Sequence, residues 1–383
     1  MAEQQALTDH TVFLISSLAG GGAEGVCANL ASGLAEQGMP LELVVLHMHN
    51  SVYHQNLSDK VCLSVLGVDQ ARYAFGPLIR HLNRARPARL VVFNYELAHL
   101  MVLIRPFLRF QFRLMARNIN TFSANALTSG SWLQRWVVNP LQRFLYSRLD
   151  HVVNQCQAMR ADLLAHVPIA AERTSVIYNP VNQRIEAAAA LTEPAAQQPG
   201  YVLCVGRFER QKAFHRAIEA FSLVHAQYPE LRLRFIGQGS QETMLRAQAH
   251  QLGLGGKVDF MGFAADTTVH YLEARCVLLT SLYEGFPNVL VEAITLGVPV
   301  VSVDCASGPA EIVRPEQNGV LLSGHSSDAI AHGLIQCLSR TWPGHQVKQS
   351  AEPYSNNRIL ADWAALLADN GLDLRQATEQ TQG

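Results

Sequence analysis

The sequence predicts an α/β protein made of two consecutive domains, each built around a parallel β-sheet. Three observations support this prediction. In both halves, short apolar runs alternate with helical patterns, and the order strand, loop, helix, strand implies a parallel sheet. The segment 185–200, rich in Ala, Gln and Pro, has no apolar periodicity and is predicted to be a linker. The length of 383 residues also suits two domains.

The first domain, predicted at 1–184, begins with the apolar run 11–18, which we interpret as a buried strand. A loop of three glycines, Gly20, Gly21 and Gly22, follows this strand and leads into a helical pattern that ends at Gly38. Further strands are predicted at 41–48, 89–94, 112–118, 151–155 and 175–181, with a helix at about 132–149.

The second domain, predicted at 201–350, repeats this alternation. A helix at 288–297 is expected to have Asn288 as its N-cap and Gly297 just past its end. The C-terminal segment 357–383 is predicted to form a helix that packs back on the first domain. Strands are predicted at 201–207, 231–239, 257–263, 275–281 and 298–304, with helices at 214–228 and 241–253.

The composition argues against several classes of protein. Apolar residues make up 49% of the chain and charged residues 16%, which is too apolar for a disordered protein. The net charge of −1 argues against a generic nucleic-acid-binding protein. The seven cysteines are scattered without a CxxC pair, so we expect no disulfide framework or structural zinc site, and a reducing compartment such as the cytoplasm. We expect neither a signal peptide nor a membrane-spanning helix.

Positive charge is concentrated in the segment 72–148, which holds twelve arginines, no lysine and one acidic residue, Glu96. A basic surface with aromatic side chains suits the anionic leaflet of a membrane, so we expect peripheral membrane contact here. A solvated basic face is the alternative, and RNA is disfavoured because no RNA-binding signature is present. The apolar residues between the arginines include Leu103, Ile104, Phe107, Phe110, Phe112, Trp132, Trp136, Phe144 and Tyr146.

Two motifs follow predicted strands and could bind phosphate. The glycine loop Gly20–Gly22 lets backbone N–H groups approach a phosphate at a helix N-terminus, although it lacks the GxGxxG spacing of a dinucleotide site. In the second domain, Gly206, Arg207 and Lys212 follow a strand directly. Two cations five residues apart can clamp a diphosphate and supply the charge that a metal ion supplies elsewhere. A pair of solvated loop charges is the alternative.

Two further motifs offer oxygen ligands and donors. Glu284 lies in a loop at the carboxyl end of a predicted strand, where open α/β sheets bind ligands, and Glu292 is predicted in the first turn of the helix that follows. One carboxylate could bind sugar hydroxyls and the other a ribose. Ser307 and Gly308, after the next strand, could present a hydroxyl and backbone N–H groups to phosphate or sugar oxygens, or could form a simple strand–helix turn.

Taken in order, these motifs resemble those of bacterial retaining glycosyltransferases of family 4. The resemblance runs from about residue 11 to 325 and is most specific in the second domain. It implies the GT-B fold, with two Rossmann-like domains whose parallel sheets face each other across a cleft. The motifs are GGGAE (20–24), NP (179–180), GRFERQK (206–212), FMGF (260–263), EGFPNVLVEA (284–293), GVPVVS (297–302), SGPAEI (307–312) and NG (318–319).

The resemblance also implies roles for single residues. Arg207 and Lys212 would bind the donor diphosphate and stabilise the leaving charge, and Glu284 would hold hydroxyls of the donor sugar, which makes these three the implied catalytic residues. Glu292 would bind the ribose, and the glycine loop would close over phosphates and acceptor. The other implied donor-binding residues are Gly206, Phe260, Gly262, Phe263, Gly285, Phe286, Pro287, Asn288 and Val289. No metal or cofactor is implied, because the nucleotide-sugar is a substrate.

One position departs from the family pattern. Many relatives carry a histidine after a strand of the first domain, near the place where this chain has Arg117 and Asn118. These two residues are therefore candidates for contact with the acceptor or the donor sugar.

The resemblance implies a metal-independent transferase that moves a hexose or N-acetylhexosamine from a nucleotide-sugar, UDP-linked by preference. The first domain would bind a glycan or lipid-linked acceptor in cell-surface polysaccharide or lipopolysaccharide synthesis, at the cytoplasmic face of the inner membrane. Two alternatives stay open: a sugar-nucleotide 2-epimerase of the same fold, and a non-catalytic subunit of a glycan synthase complex.

Overall fold

The computed structural model describes residues 10–121, 123, 139–192 and 200–369. The chain divides into two compact units: unit 1 comprises Met1–Pro180 and Asn356–Gly383, and unit 2 comprises Val181–Ser355. Among the described residues, unit 1 contains a seven-stranded parallel sheet and unit 2 a six-stranded parallel sheet. The predicted α/β class with two parallel sheets is confirmed.

The sheet of unit 1 has the strand order β3-β2-β1-β4-β5-β6-β7. Its strands are β1 (Thr11–Ile15), β2 (Leu41–Val45), β3 (Cys62–Val65), β4 (Arg89–Val92), β5 (Arg113–Arg117), β6 (His151–Asn154) and β7 (Thr174–Val176). The described helices between them are α1 (Gly22–Glu36), α2 (Phe75–Ala85), α3 (Tyr95–Ile104), α4 (Asn139–Tyr146) and α5 (Gln157–His166).

The core of unit 1 lies on both faces of this sheet. All five residues of β1 are buried, and alternate side chains enter two separate apolar clusters, with Leu14 in one and Phe13 in the other. This burial on both faces explains why the strand is a continuous apolar run in the sequence.

In unit 2 the strand order is β10-β9-β8-β11-β12-β13. The strands are β8 (Tyr201–Val205), β9 (Arg232–Ile236), β10 (Val258–Phe260), β11 (Ala274–Leu279), β12 (Val300–Val303) and β13 (Gly319–Leu322). The helices are α6 (Gln183–Leu191), α7 (Phe214–His225), α8 (Glu242–Gln251), α9 (Thr268–Leu272), α10 (Asn288–Thr295), α11 (Pro309–Ile312), α12 (Ser327–Ser339) and α13 (Gly344–Gln349).

The last described helix, α14 (Asn356–Ala368), belongs to unit 1. Its Trp363 is fully buried, with ring centroids 6.1 Å from Phe13 and 6.4 Å from Phe93. A Cβ at Gly33 of α1 would come 2.6 Å from a methyl group of Leu360, so this glycine permits the close approach of the two helices. The apolar face of α14 therefore completes the core of unit 1.

The structure corrects the predicted linker at 185–200, because its first part is helix α6. The Asn182 side chain accepts a hydrogen bond from the Arg184 backbone N–H and caps the helix, and the alanines that follow have the highest helix propensity. Ile185 is the buried residue of α6, and one buried position gives no apolar periodicity to detect. Residues 193–199 lie outside the described part of the chain.

Two predicted helix boundaries also differ. Asn288 is the first residue of α10 rather than its N-cap, a position that Pro287 occupies, and no side chain caps the helix. The helix predicted at about 132–149 is described only from Asn139, and its beginning lies outside the described residues. Within the described ranges, no helix is both long and apolar enough to cross a membrane.

The arginines of the segment 72–148 are divided between the interior and the surface. Arg89 and Arg117 are buried, Arg105 pairs with Asp150 at 2.8 Å, and the Arg113 guanidinium donates to the Leu366 carbonyl at 3.2 Å. Ile104, Phe112 and Tyr146, which the sequence placed on a basic surface, are buried, and Trp132, Trp136 and Arg135 lie outside the described residues. The exposed arginines are Arg72, Arg80, Arg84, Arg86, Arg109 and Arg148.

Candidate active site

The candidate site of unit 2 lies where the strand order reverses, between β8 and β11. At such a switch point the connections leave in opposite directions, and the carboxyl ends of the strands border a crevice that binds ligands. The segment from Gly206 to Ala213 follows β8, and the segment from Thr280 to Pro287 follows β11. The motif residues Arg207, Lys212 and Glu284 all lie in these two loops.

Backbone packing holds the loop after β8. Gly206 has φ +150°, and a Cβ on Gly237, with φ +139°, would overlap the Gly206 carbonyl oxygen. The Phe208 N–H donates to the Gln238 carbonyl at 3.0 Å, and the Gln241 N–H donates to the Phe208 carbonyl at 2.9 Å. Because the buried Phe208 anchors the loop, its neighbour Arg207 is left exposed.

Lys212 and Glu284 meet at the centre of this site. The Lys212 ammonium lies 2.6 Å from Glu284 Oε1, and the two side chains are only 17% and 8% exposed. The Ser281 hydroxyl donates to the same oxygen at 2.5 Å. No hydrogen bond joins the other carboxylate oxygen, Oε2, to a residue that the structure describes, so one oxygen is held and the other is available to a ligand.

The two loops are also joined through their backbones. The Gln211 side-chain amide donates to the Tyr283 carbonyl at 2.9 Å, and the Leu282 N–H donates to the Gln211 carbonyl at 2.8 Å. The Thr280 hydroxyl donates to the Lys212 carbonyl at 2.8 Å. These bonds fix the position of the ammonium relative to the carboxylate before any ligand binds.

Ser307 and Gly308 brace the same loop. The Ser307 hydroxyl donates to the backbone carbonyls of Glu284 and of Gly285, the latter at 3.1 Å. Gly308 has φ +92°, and a Cβ there would lie 2.5 Å from Cδ of Pro287. The Ser307 hydroxyl, which the sequence suggested as a donor to phosphate or sugar oxygens, therefore donates to backbone carbonyls in this structure.

Glu292 occupies the second turn of α10 rather than the predicted first turn, because the helix begins at Asn288. Its carboxylate Oε2 accepts a hydrogen bond of 2.7 Å from the Tyr271 hydroxyl. Burial raises the pKa of Glu292 to about 7, while the hydrogen bond from Tyr271 acts in the opposite direction. Burial also raises the pKa of Tyr271 well above 10, so the phenol remains a donor. Sequence reasoning missed Tyr271, since one tyrosine in a five-residue helix carries no spacing signal.

The other predicted donor-binding residues are arranged around β10 and the start of α10. Phe260 ends β10, stacked on Phe235 at 5.2 Å and covered by the Arg246 guanidinium at 4.5 Å. The Gly262 carbonyl accepts the Gly237 N–H at 2.7 Å. Phe263 is exposed, Gly285, Phe286 and Pro287 are buried, and Asn288 and Val289 are partly buried.

In unit 1 the glycine loop follows β1, and Gly21 is the N-cap of α1. A Cβ on Gly21 would overlap the Glu24 carboxylate, so this glycine makes room for an acidic side chain in the first helical turn. A negative charge there is favourable because it opposes the positive end of the helix dipole. Gly20 and Gly22 are exposed on either side.

Arg117 and Asn118, at the end of β5, are buried in a network of amides. The Arg117 guanidinium donates to the Asn179 side-chain oxygen and lies 5.5 Å from the Phe93 ring centroid. Asn118 Nδ2 donates to Asn154 Oδ1 at 2.7 Å, and the Tyr146 hydroxyl donates to the Asn118 side-chain oxygen. The structure therefore assigns Asn179 of the NP motif as a partner of Arg117.

Arg117 is buried without a carboxylate partner. This burial lowers the pKa of its guanidinium to about 10. Its Nη1 is buried and makes no hydrogen bond to any residue in the described ranges.

All seven cysteines lie in the described ranges and are free thiols.

Comparison with known proteins gives the family. The model of glycosyltransferase family 4 matches residues 20–184, and that of the group 1 glycosyl transferases matches residues 192–356. Lipopolysaccharide 1,6-galactosyltransferase of Salmonella typhimurium is 35% identical over 171 residues, 43% of this chain and 46% of that protein. The amylovoran biosynthesis glycosyltransferase AmsD of Erwinia amylovora is 23% identical over 360 residues, 91% of this chain and 96% of that protein. Several other curated relatives are also matched over less than half of their own length.

Among solved structures, Anabaena HepE in complex with UDP and glucose superposes with a TM-score of 0.75 and 19% identity. The match covers 94% of this chain and 99% of that chain. At this identity the likeness establishes the fold, which is GT-B with two Rossmann-like domains. Because the two family models together match most of the chain, the protein belongs to the group 1 glycosyltransferases of family 4.

Proposed function

We propose that this glycosyltransferase moves a hexose or N-acetylhexosamine from a UDP-sugar to a glycan or lipid-linked acceptor, with retention at the anomeric carbon. The observation that carries the proposal is the 2.6 Å contact between Lys212 and Glu284 at the switch point of unit 2. A cation beside a carboxylate suits a nucleotide-sugar, since one can bind the diphosphate and the other the sugar hydroxyls. The UDP complex of HepE and the galactosyl transfer of the Salmonella relative support the donor class.

Arg207 and Lys212 bind the donor diphosphate in this proposal. An ammonium has three N–H donors, and the contact with Glu284 uses one of them, which leaves two for phosphate oxygens. Arg207 is exposed in the same anchored loop, so it can reach the diphosphate without a rearrangement of the backbone. The two cations stabilise the charge that develops on the leaving diphosphate, and no metal is needed for that task.

Retention follows if the acceptor attacks from the face that the diphosphate leaves. The bond between the anomeric carbon and the β-phosphate oxygen breaks, and a bond to the acceptor oxygen forms on the same face. The acceptor hydroxyl gives its proton to an oxygen of the departing diphosphate. Glu284, held through Oε1 by Lys212 and Ser281, offers Oε2 to a hydroxyl of the donor sugar.

We assign the acceptor side of the reaction to unit 1. The Gly20–Gly22 loop would contact the phosphates or the acceptor, and Arg117 and Asn118 would shape the acceptor or sugar subsite from the end of β5. Polysaccharide or lipopolysaccharide synthesis is the setting that the names of AmsD and the Salmonella enzyme support.

A peripheral contact with an anionic membrane, at the cytoplasmic face of the inner membrane, forms part of the proposal. Phe75 and Phe107 pack edge to face at 5.5 Å while 38% and 59% exposed, and the exposed Arg72 lies over the Tyr73 ring at 4.9 Å. Leu103 is also exposed. Apolar side chains within a group of unburied arginines combine the two contributions that hold a protein on an anionic surface.

Vesicle binding tests this contact. Arg80 and Arg84 are four residues apart on α2 and both exposed, so they share one face of the helix. At roughly 1 kcal/mol for each basic residue near the surface, the double change to Glu should weaken binding to vesicles containing phosphatidylglycerol about tenfold or more. The matched pair Arg184→Glu and Arg314→Glu, two exposed arginines of unit 2, should have little effect. Equal losses for the two pairs, or unchanged binding in the first, would refute this surface.

A thermal-shift panel of UDP, GDP, ADP and NAD, each with EDTA, tests the donor. A ligand at 100 times its Kd stabilises by about 2.7 kcal/mol, enough to move a melting curve. We expect UDP to shift the melting temperature and NAD not to. A shift with GDP or ADP alone would overturn the UDP assignment, and no shift at all would favour the non-catalytic subunit.

Product analysis completes the test. With donor alone, a 2-epimerase would change the sugar, whereas a transferase needs the acceptor. The anomeric configuration of the product reports retention, and complete, metal-reversible loss of activity in EDTA would contradict the role of the two cations.

A further inference from the structure

Tyr271 is a buried polar side chain that no family motif includes, yet it touches a motif residue directly. It lies in α9, is fully buried, and donates its hydroxyl proton to Glu292 Oε2 at 2.7 Å. The short helix is held at its first residue and at its middle residue. The Asp266 carboxylate accepts the Thr268 N–H at 2.9 Å, and the Tyr201 hydroxyl donates to the His270 carbonyl at 2.9 Å. The phenol therefore has a fixed position relative to α10.

Glu292 requires such a partner for two reasons. The Glu292 side chain is half-buried, and burial penalises the charged form that accepts hydrogen bonds best. A glutamate side chain is also long, and its rotamers must be limited if it is to meet a ligand in one geometry. The phenol addresses both needs, because a hydrogen bond to a charged acceptor stabilises the charge and holds one oxygen in place.

We propose that Tyr271 is a positioning residue for the donor nucleotide: it holds Glu292 through Oε2 so that Oε1 accepts hydrogen bonds from the ribose hydroxyls. Oε1 makes no hydrogen bond to any residue that the structure describes, so it is available for this contact. The inference rests on the proposed function, in which Glu292 binds the ribose, and it adds a residue that sets the preference for ribonucleotides.

The test measures binding of UDP and of 2′,3′-dideoxy-UDP, which lacks both ribose hydroxyls, to the purified full chain. The variant Tyr271→Phe keeps the aromatic ring and removes the hydroxyl that donates the hydrogen bond to Glu292. Because the carboxylate then loses the hydrogen bond that holds it, we expect the Kd for UDP to rise about tenfold. The Kd for the dideoxy nucleotide should change less than twofold, because that ligand does not use Glu292.

Tyr201→Phe is the matched control. It also removes a phenol hydroxyl that is bonded to α9, through the His270 carbonyl, but it leaves the contact with Glu292 intact. We expect it to preserve the preference for UDP over the dideoxy nucleotide. Equal weakening of both nucleotides by Tyr271→Phe would mean that Tyr271 only stabilises the fold, and would overturn the inference.

A third variant separates this inference from the proposed function. Glu292→Ala should abolish the preference for UDP. If it does so while Tyr271→Phe binds like the wild type, the positioning role is wrong and the ribose site stands. If the wild-type protein binds the two nucleotides equally, the ribose role of Glu292 fails, and the inference fails with it.

Discussion

The two units place different chemistry at the carboxyl ends of their sheets. In unit 2 the ends of β8 and β11 bring together an exposed Arg207 and the ion pair of Lys212 with Glu284. In unit 1 the end of β5 carries one cation, Arg117, which is buried and bound to a neutral amide. Unit 2 combines an exposed cation with a largely buried ion pair, whereas unit 1 buries its one cation among side chains that have no net charge.

This difference has a physical cause. Neutral amides lose little on burial when each donor finds an acceptor, so the network around Asn118 and Asn154 can be dry and rigid. A charge that must meet a diphosphate cannot be buried so deeply, because the ligand has to replace its water. The comparison predicts that substitutions in unit 2 change donor binding and chemistry, and that substitutions in unit 1 act on the acceptor.

The largest effect is expected for Glu284→Gln. The amide keeps the shape but loses the charge that pairs with Lys212, and removal of such a group costs about 10²–10³-fold in turnover. Affinity for UDP should be unchanged or higher, because the ammonium is then free for phosphate. Steady-state kinetics and titration with UDP measure the two quantities. Asp304→Asn, at an exposed acid after β12, is the control. Equal loss of turnover and of UDP affinity would contradict the division of roles.

Arg207→Ala should weaken UDP binding about 10- to 50-fold, the effect of one charge-assisted contact with a phosphate. Binding of uridine, which has no phosphate, should be unchanged. Arg210→Ala is the matched control, since Arg210 is also exposed in the same loop. The phosphate role is lost if uridine and UDP weaken together, or if the Arg210 variant behaves in the same way.

Arg117→Met tests unit 1. The side chain keeps its volume but loses the bond to Asn179, and we expect transfer at limiting acceptor to fall about tenfold, the scale of one hydrogen bond to a charged group. Affinity for UDP should stay within about twofold, because the change is confined to the acceptor side. Isothermal titration measures the affinity for UDP, and initial rates at limiting acceptor measure the transfer. An equal fall in UDP affinity would contradict the assignment of the acceptor to unit 1 and of the donor to unit 2.

The smallest effect concerns the stability of unit 2. The pKa of Glu292 is about 7 in the folded state against an ordinary 4.5, so the folded protein holds this proton more tightly than the unfolded chain. Stability from this group is complete below pH 4.5 and is lost as the pH rises through 7. Glu292→Gln should therefore stabilise the protein by about 1–2 kcal/mol more at pH 8 than at pH 5. Urea denaturation at both pH values measures this, and an equal change at the two would exclude ionisation as the cause.

Local patterns were enough to predict two parallel sheets and the loops that carry the charged motifs, but they missed the edge strands β3 and β13. Apolar runs buried on two faces are visible in any window of the sequence, and β1 and β8 were found this way. The stretch 185–191 was missed as a helix because it buries one residue, Ile185. The arginines of 72–148 could not be sorted into buried and exposed, since their partners Asp150 and Leu366 lie elsewhere in the chain.

By itself, the sequence determined the fold class, the family and the places where charged side chains leave the strands. Only the tertiary structure decided which of these side chains meet. Lys212 and Glu284 are 72 residues apart, Arg117 and Asn179 are 62 apart, and Tyr271 reaches Glu292 from another helix. Such contacts depend on the strand order, which makes β8 and β11 neighbours although β9 and β10 lie between them in the chain. A pattern read along the chain contains no information on that order, because pairing of distant strands is settled by the packing of the whole core.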